Sequence, residues 1–237
     1  MKTIGLLGGM SWKSTMTYYK IINEVTNGEL GGFHSSKCIL YSVDFQEIEE
    51  CQSRGEWEKS GCILAEAALS LEKAGADFII ICTNTMHKVI DIIQNKITIP
   101  ILHIAEATAS ELINHNIRKV ALLGTKYTME QDFYKIKLIE AGLEVIIPEK
   151  EDIALINDTI FNELCLGIIS TQSKVEFLRI IQSLADEGAE GVILGCTEIG
   201  LLVQQQDTSV PLFDTTLIHA MKAASLSIEE GLVHNRN

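Results

Sequence analysis

The sequence predicts an α/β protein built from two similar parallel-sheet lobes, related by a pseudo-twofold duplication, with the active site in the cleft between them. Two observations carry this prediction. Short, almost continuously apolar runs alternate with longer amphipathic stretches, as expected for a parallel sheet that helices cover on both faces. Matching residues also recur at a nearly constant separation along the 237-residue chain, which indicates two copies of one α/β unit.

Each half of the chain shows strands that lead into helices. In the first half the predicted strands and helices are 4–8 with 11–25, 38–45 with 57–74, 78–84 with 86–93, and 100–104 with 105–114. In the second half they are 120–124 with 129–141, 143–149 with 152–166 and 174–187, then 191–198, and 211–214 with a closing helix from 215. Glycine follows three of these helices, at Gly75, Gly142 and Gly188, where a left-handed conformation can end a helix.

The repeated residues define the expected lobes. The pairs are Gly75 with Gly188 and Thr83 with Cys196, both 113 residues apart, Gly8 with Gly124 at 116, and Pro100 with Pro211 at 111. We predict a first lobe of residues 1–98 plus 210–237 and a second lobe of residues 99–209. Ligands of open α/β sheets bind beyond the carboxyl ends of the strands, so the residues that follow strands are the candidates for a site.

The composition excludes several classes of function. A net charge of -13 opposes nucleic-acid binding, which needs clustered Lys and Arg. The apolar runs are too short to cross a bilayer, so no membrane partner is predicted. Six cysteines without a C-x-x-C pair or zinc-type spacing predict no metal site and indicate reduced thiols in a cytoplasmic protein.

A glycine-rich turn, GGMSW at 8–12, follows the first strand. Lys13 and Ser14 come after Trp12 rather than after glycine, which excludes a P-loop, and the dinucleotide pattern G-x-G-x-x-G is absent. No nucleotide cofactor is therefore predicted. The turn suits either a small carboxylate at the helix start or simply a tight turn with Ser11 as the N-cap.

The strongest signal is a pair of polar segments, TNT at 83–85 and CTE at 196–198, which follow buried strands at equivalent places in the two halves. Each offers one group with a transferable proton, Thr83 or Cys196, beside small polar residues that can hold a carboxylate. Two such groups on opposite sides of one carbon can remove and return a proton. The simpler alternative is that these residues only cap the next helix.

Cys82 is more reactive than its neighbour Thr83, yet Thr83 is the residue at the shared offset from Cys196. Successive residues of a strand point to opposite faces of the sheet. We therefore expect the Cys82 side chain to point into the core and Thr83 to carry the function.

These segments resemble those of the cofactor-independent aspartate/glutamate racemase family, and most closely its L-aspartate/glutamate-specific or broad-specificity amino-acid branch. The markers are GGMSW at 8–12, YSVDF at 41–45, TNT at 83–85, GTKYTM at 124–129 and GCTEIGLL at 195–202. The resemblance covers almost the whole chain. It implies that a cysteine from each half moves the α-proton of an amino acid without pyridoxal phosphate or another cofactor, and here Thr83 replaces the first cysteine.

The resemblance also implies the residues of a substrate pocket. Those it places around the α-carboxylate are Met10, Asn84, Thr85 and Thr197. Gln52 falls where relatives commonly have an Arg for the distal carboxylate, and Cys165 falls where many have a Lys. Without these cations a second carboxylate is recognised more weakly, so neutral amino acids are an alternative to L-aspartate and L-glutamate as substrates.

Thr83 changes the expected mechanism. A thiol with a pKa of about 8.5 needs a modest shift to ionise at neutral pH, whereas ionising a hydroxyl costs roughly 10 kcal/mol more. A neutral hydroxyl can still donate a proton to a carbanion. We therefore expect the Cys196 thiolate to abstract and Thr83 to deliver. The resemblance assigns the second-half cysteine to the L-face, so the predicted direction is L to D, with a slow reverse.

Several roles and functions stay open at this point. His87 is either an assistant to Thr83 or a packing residue, while Glu198 orients Cys196, binds the substrate ammonium or favours a helix start. A cysteine-dependent decarboxylase or isomerase of the same fold and a non-catalytic binding module are the alternatives to a racemase. The expected partner is a small amino acid, and the resemblance adds a homodimer, which is common in the family.

Overall fold

The computed structural model describes residues 1–232, with side chains through residue 229. Residues 233–237, which the sequence assigned to the first lobe, lie outside this part of the chain. The described residues divide into two compact units. The first unit holds residues 1–104 and 219–232, and the second unit holds residues 105–218.

Each unit contains one four-stranded parallel sheet. The strands are β1 (Ile4–Gly8), β2 (Cys38–Ser42), β3 (Phe78–Ile81), β4 (Ile101–Leu102), β5 (Lys119–Gly124), β6 (Glu144–Ile146), β7 (Gly191–Gly195) and β8 (Leu212–Asp214). Their order is β2-β1-β3-β4 in the first sheet and β6-β5-β7-β8 in the second. The two orders are the same permutation, and this confirms the predicted α/β fold of two similar parallel-sheet lobes. The cleft between the lobes stays a prediction.

Helices connect the strands in both units. They are α1 (Trp12–Leu30), α2 (Phe45–Arg54), α3 (Trp57–Lys73), α4 (Ile90–Gln94), α5 (Ile104–Asn114), α6 (Lys126–Glu130), α7 (Asp132–Glu140), α8 (Lys150–Asn162), α9 (Thr171–Asp186), α10 (Ile199–Leu202) and α11 (Thr215–Leu232). Short 3₁₀ turns lie at Thr85–Val89, Leu164–Leu166 and Gln205–Asp207. The predicted glycines do end helices, with φ of 99°, 89° and 96° at Gly75, Gly142 and Gly188.

Central strands are buried because helices cover both faces of each sheet. All residues of β1, β3 and β7 are buried. Along β3 the side chains alternate: Ile79 and Ile81 enter one apolar cluster, and Phe78 and Ile80 enter the cluster on the opposite face. This alternation decides which residues beyond a strand end face the core.

The lobe boundaries differ from the prediction of 1–98 plus 210–237 and 99–209. The first unit extends to Ile104 because β4 pairs with β3, and the second unit extends to residue 218 because β8 pairs with β7. The prediction placed each fourth strand in the wrong lobe. The repeat is therefore a complete four-stranded unit in each half, followed by a helix.

Three helical predictions are corrected in detail. Helix α2 was missed; Asp44 caps its start and Gly55 ends it in a left-handed conformation. The single helix predicted over 129–141 is two helices, because Gln131 between them is extended, with ψ of 158°. The helix predicted over 86–93 begins as a 3₁₀ turn and becomes α-helical only from Ile90.

Candidate active site

Thr83 and Cys196 occupy the same register position in the two sheets. Leu7 of β1 pairs with Ile81, and Leu123 of β5 pairs with Leu194. Thr83 and Cys196 each lie two residues beyond these paired positions. Parallel strands expose their carboxyl ends at one edge of the sheet, so each residue stands at the carboxyl edge of its own sheet, the edge at which ligands of open α/β sheets generally bind.

Cys196 is buried, with 9% of its surface exposed, and it packs in the apolar core of the second unit. Its Sγ donates a hydrogen bond to Glu198 Oε2 over 3.2 Å. The hydroxyl of Thr197 donates to the same carboxylate oxygen over 2.5 Å. Glu198 is itself only 5% exposed. The CTE segment thus folds its carboxylate back onto its own thiol.

Surroundings of this kind oppose formation of a thiolate. Burial is the largest cause that raises the pKa of Cys196 well above its usual value, and the charge of Glu198 and the neighbouring Cys165 raise it further. The Glu198 backbone N–H acts in the opposite direction. The expectation that Cys196 needs only a modest shift to ionise is therefore wrong in these surroundings. A group that accepts the thiol proton is required, and Glu198 is in contact with it.

Thr83 is half-buried at the end of β3. Its backbone N–H donates to the Ile81 carbonyl over 2.8 Å, and its carbonyl accepts a hydrogen bond from His87 Nδ1 over 2.9 Å. His87 therefore contacts the backbone of Thr83. The predicted one-face relationship of the two residues is realised through a 3₁₀ turn rather than an α-helix.

Both ring nitrogens of His87 are engaged with backbone groups. The Ile104 N–H donates to Nε2 over 3.2 Å, so Nδ1 carries the proton that bonds the Thr83 carbonyl. The side chain is 1% exposed, and burial, followed by the neighbouring His103 and His219, lowers its pKa well below the usual value. His87 is thus a neutral imidazole of fixed tautomer.

Cys82 lies in the core, as predicted. It is fully buried within the apolar cluster that contains Tyr18 and Ile80. Burial raises the pKa of its thiol far above the usual range. A nucleophilic or basic role for Cys82 is incompatible with this environment.

The remaining first-unit candidates gather at the same sheet edge. Met10 follows β1 and is buried against the cluster that also holds Met86. Gln52, on α2, is buried and its Nε2 donates to Met86 Sδ over 3.0 Å. Asn84 and Thr85 are buried and lead directly into the 3₁₀ turn. The structure therefore brings these four residues close to the end of β3.

In the second unit, Thr197 and Cys165 lie beside Cys196. Thr197 is half-buried and contacts Glu198 as described. Cys165 sits in the 3₁₀ turn after α8, half-buried against the same apolar cluster as Cys196. Its thiol brings no positive charge to the site, and its effect on Cys196 is to disfavour a second negative charge.

The GGMSW turn is held by its own side chains. Ser11 is the N-cap of α1 and accepts from the Ser14 N–H over 3.4 Å, and Thr15 Oγ1 accepts from the Gly9 N–H over 2.9 Å. Gly9 has a φ of 99°, and a Cβ there would lie 2.3 Å from the Val43 carbonyl oxygen. Only glycine fits this position.

Sequence reasoning missed how each unit fastens its fourth strand to its third. In the second unit Thr215 Oγ1 donates to the Leu194 carbonyl over 2.9 Å. Thr215 stands 111 residues after Ile104, the residue bonded to His87. The offset of 111 between the paired prolines was the signal that could have led to both contacts.

Membrane-spanning helices and metal clusters are both absent from the described part of the chain. Within residues 1–232, no helix is both long and apolar enough to cross a membrane. Among the side chains that the structure describes, no group of three or more His, Cys, Asp or Glu is arranged to hold a metal ion.

Known proteins similar to this chain include racemases. A family model described as Asp/Glu/hydantoin racemase matches residues 7–223. A broad-specificity amino-acid racemase, RacX, from Bacillus subtilis strain 168 is 28% identical over 228 residues, which cover 94% of this chain and 96% of RacX.

Two crystal structures share the fold over nearly the whole chain. A candidate Asp/Glu racemase from Yersinia pestis is 52% identical with a TM-score of 0.90, and the match covers 96% of this chain and 100% of that one. An aspartate racemase homologue from Pyrococcus horikoshii OT3 is 41% identical with a TM-score of 0.83, covering 96% and 99%. The resemblance inferred from the motifs is confirmed. The chain belongs to the Asp/Glu/hydantoin racemase family and is an amino-acid racemase, a class of isomerase.

Proposed function

We propose that this racemase inverts the α-carbon of an amino acid with Cys196 and Thr83 as its two proton-transfer groups. The observation that carries the proposal is their identical register position at the carboxyl edges of two sheets of the same topology. The mechanism requires that the two groups reach opposite faces of one α-carbon.

The proposed reaction is a pair of proton transfers. The Cys196 thiolate takes the α-proton of the L-amino acid, so the Cα–H bond breaks, an S–H bond forms and the electron pair stays on Cα. Thr83 then donates its hydroxyl proton to the opposite face, which forms the Cα–H bond of the D-enantiomer. A water molecule returns a proton to the Thr83 oxygen, and the hydroxide left behind takes up the α-proton that Cys196 releases. The thiolate and the water are thereby restored, and no electrons are gained or lost.

Glu198 supplies the missing step, because the buried Cys196 thiol has to lose its proton first. The thiol already donates to Glu198 Oε2 over 3.2 Å. Transfer of that proton gives a thiolate and a neutral carboxylic acid, so the pair carries one negative charge in either state. A substrate ammonium beside the pair stabilises the form with the charge on sulfur.

With Thr83 on one face of the α-carbon and Cys196 on the other, proton removal is much easier on the Cys196 face. A thiolate removes a proton readily, whereas a threonine alkoxide costs roughly 10 kcal/mol more to form. The step at Thr83 therefore limits racemisation. Because the two enantiomers have equal free energy, kcat/KM must be equal in both directions, and the slow reverse reaction expected from the sequence cannot appear in this quantity. The inequality of the bases appears instead in reactions that need only one of them.

The substrate class is proposed from the pocket residues. Asn84, Thr85 and Thr197 offer donors for the α-carboxylate, and L-aspartate and L-glutamate are the first candidates by family membership. Neutral amino acids are the second candidate, because Gln52 and Cys165 bring no positive charge. The broad specificity named for the Bacillus subtilis relative supports that second candidate.

Chiral chromatography of a panel of amino acids tests the function. Each L- and D-enantiomer is incubated with the purified protein without added cofactor, alongside Cys196→Ala. We expect the wild type to convert at least one L-amino acid into its D-enantiomer and the variant to convert none. Release of carbon dioxide instead would support the decarboxylase alternative, and binding without turnover would support a binding module.

A further inference from the structure

We propose that His87 is a positioning residue for the Thr83 half of the reaction, an inference that rests on the proposed function. Its imidazole joins the carbonyl of Thr83 to the backbone N–H of Ile104 through two hydrogen bonds of 2.9 and 3.2 Å. Ile104 is the last residue of the first unit before the chain enters the second. The segment that carries Thr83 is thus anchored to the point where the chain leaves this unit.

The anchor works in one tautomer only. A carbonyl can only accept and an N–H can only donate, so the ring must carry its proton on Nδ1 and leave Nε2 as an acceptor. A doubly protonated ring would set a second donor against the Ile104 N–H. The bridge therefore depends on a neutral imidazole and is lost when either nitrogen is replaced.

Neighbouring rings hold the imidazole in place. The His103 ring lies 4.7 Å from it and the His219 ring 6.0 Å, centroid to centroid. His219 is fixed in turn, because Nε2 donates to the Leu102 carbonyl and Nδ1 accepts from the Tyr18 hydroxyl, both over 2.9 Å. These contacts restrict the His87 ring to the orientation in which both backbone bonds form.

The second unit has no counterpart to this histidine among the residues that the structure describes. At the same offset of 113 it has Gly200, and a Cβ there would lie 2.7 Å from Asp214 Oδ2, so a larger side chain would have to displace this carboxylate. Asp214 instead caps α11 itself, through the N–H groups of Thr216 and Leu217. The histidine anchor is therefore specific to the half that carries threonine in place of cysteine.

This difference has a chemical reason. A weak hydroxyl donor delivers its proton only when it is held within reach of the carbanion, and a displacement of about 1 Å costs on the order of 10²-fold in rate. A bond to the carbonyl of the same residue fixes the backbone from which Oγ1 projects. Both of these hydrogen bonds of His87 go to backbone groups of the first unit, so we expect its effect to be confined to delivery.

Two reactions of the same enzyme, racemisation and chloride elimination, distinguish proton delivery by Thr83 from proton abstraction by Cys196. Racemisation needs both groups. Elimination of chloride from the β-chloro derivative of the same L-amino acid needs only removal of the α-proton by Cys196, because the electron pair on Cα expels chloride from Cβ and forms the C=C bond. The ratio of the two rates therefore reports on Thr83 alone, and a loss of folded protein lowers both rates together.

Three variants test separately the two hydrogen bonds of His87, to the Thr83 carbonyl and from the Ile104 N–H. His87→Asn keeps a donor near the place of Nδ1, His87→Gln keeps an acceptor near the place of Nε2, and His87→Ala keeps neither. His115→Gln is the matched control: His115 belongs to the second unit, and its Nδ1 also contacts the carbonyl of the residue four positions before it, Glu111, over 3.0 Å. Thermal melts establish that each variant is folded before the rates are compared.

We expect the ratio of racemisation to elimination to fall about tenfold or more in His87→Gln and His87→Ala. His87→Asn should recover part of that loss, and His115→Gln should leave the ratio unchanged. An unchanged ratio in folded His87→Gln and His87→Ala would overturn the inference. If wild-type protein gives neither reaction with any amino acid, the proposed function has failed instead.

Discussion

Cys196 Sγ and Glu198 Oε2 lie 3.2 Å apart in a buried site, with a hydrogen bond between them. Burial and then the charge of Glu198 raise the pKa of the Cys196 thiol, since two negative charges at this distance away from water repel strongly, and the thiol keeps its proton in this hydrogen bond. Whether Cys196 can act as a base depends on where that proton resides. The position of the carboxylate is thus part of the thiol's reactivity.

Replacement of Glu198 by Gln should change two measurements, the thiol pKa and the racemisation rate. The pKa of the Cys196 thiol should fall, because the charge of the carboxylate and its hydrogen bond both raise it. The racemisation rate should nevertheless fall about 10²-fold or more, because the proton acceptor is gone. Ultraviolet absorbance of the thiolate against pH and chiral chromatography measure the two effects. A faster Glu198→Gln enzyme would show that Glu198 only restrains the thiol.

Alanine substitutions at Cys82, Thr83 and Cys196 should have different effects on the rates of racemisation and elimination. Cys196→Ala should lose both elimination and racemisation by about 10²-fold or more, and Thr83→Ala should lose mainly racemisation. Cys82→Ala removes a buried thiol from the core, so it should lower the melting temperature and leave both rates of the folded enzyme nearly unchanged. Activity that disappears with Cys82 but survives loss of Thr83 would reverse the assignment.

Much of the fold followed from the sequence because local patterns decide it. The buried strands are nearly continuous apolar runs, and the duplication offsets located Thr83 and Cys196 correctly in register. The lobe boundaries failed because membership of β4 and β8 in a sheet depends on strand pairing over long separations, which no local pattern records. The break between α6 and α7, where Gln131 is extended, was also missed.

Electrostatics was the less predictable part of the site. The sequence presents Glu198 two residues after Cys196, but whether the carboxylate returns to the thiol depends on the tight turn before α10. The sequence also cannot reveal that Cys196 is almost fully buried, and burial is the main cause of its raised pKa. For His87, the spacing to Thr83 was visible, whereas the bond to Ile104 required the folded β4.

Acid should destabilise the protein, in part because His219 becomes protonated as the pH falls. Burial lowers the pKa of His219 to about 4, below its unfolded value of about 6.5. The neutral ring favours the folded state, so this contribution is complete above about pH 6.5 and is lost as the pH falls toward 4. The loss is about 3 kcal/mol in the free energy of unfolding. Urea titrations at about pH 7 and about pH 4.5 give the change in the free energy of unfolding across most of this range. This change should be smaller for His219→Gln than for wild type or for His34→Ala, a variant at an exposed site. Equal differences in all three would contradict this assignment.

Gly9 should tolerate no side chain. Alanine there combines a φ of 99° with a Cβ only 2.3 Å from the Val43 carbonyl oxygen, so Gly9→Ala should lower the free energy of unfolding by about 2 kcal/mol or more. Gly28→Ala is the matched control, because Gly28 lies in α1 and a Cβ added there would have nothing within 4 Å. It should raise stability by about 0.5–1 kcal/mol. Chemical denaturation decides the comparison, and similar losses in both variants would refute the steric argument.

The most direct measurement compares chloride elimination from the two enantiomers of a β-chloro amino acid by the wild-type enzyme. Elimination is irreversible and needs one base. The kcat/KM values of the two enantiomers therefore need not be equal, as they must be in racemisation. With Cys196 as the only effective base, the L-enantiomer should react at least about 10²-fold faster than the D-enantiomer, and Thr83→Cys should make the D-enantiomer reactive. Faster elimination from the D-enantiomer by wild type would contradict the assignment of Cys196 to the L-face and of Thr83 to proton delivery.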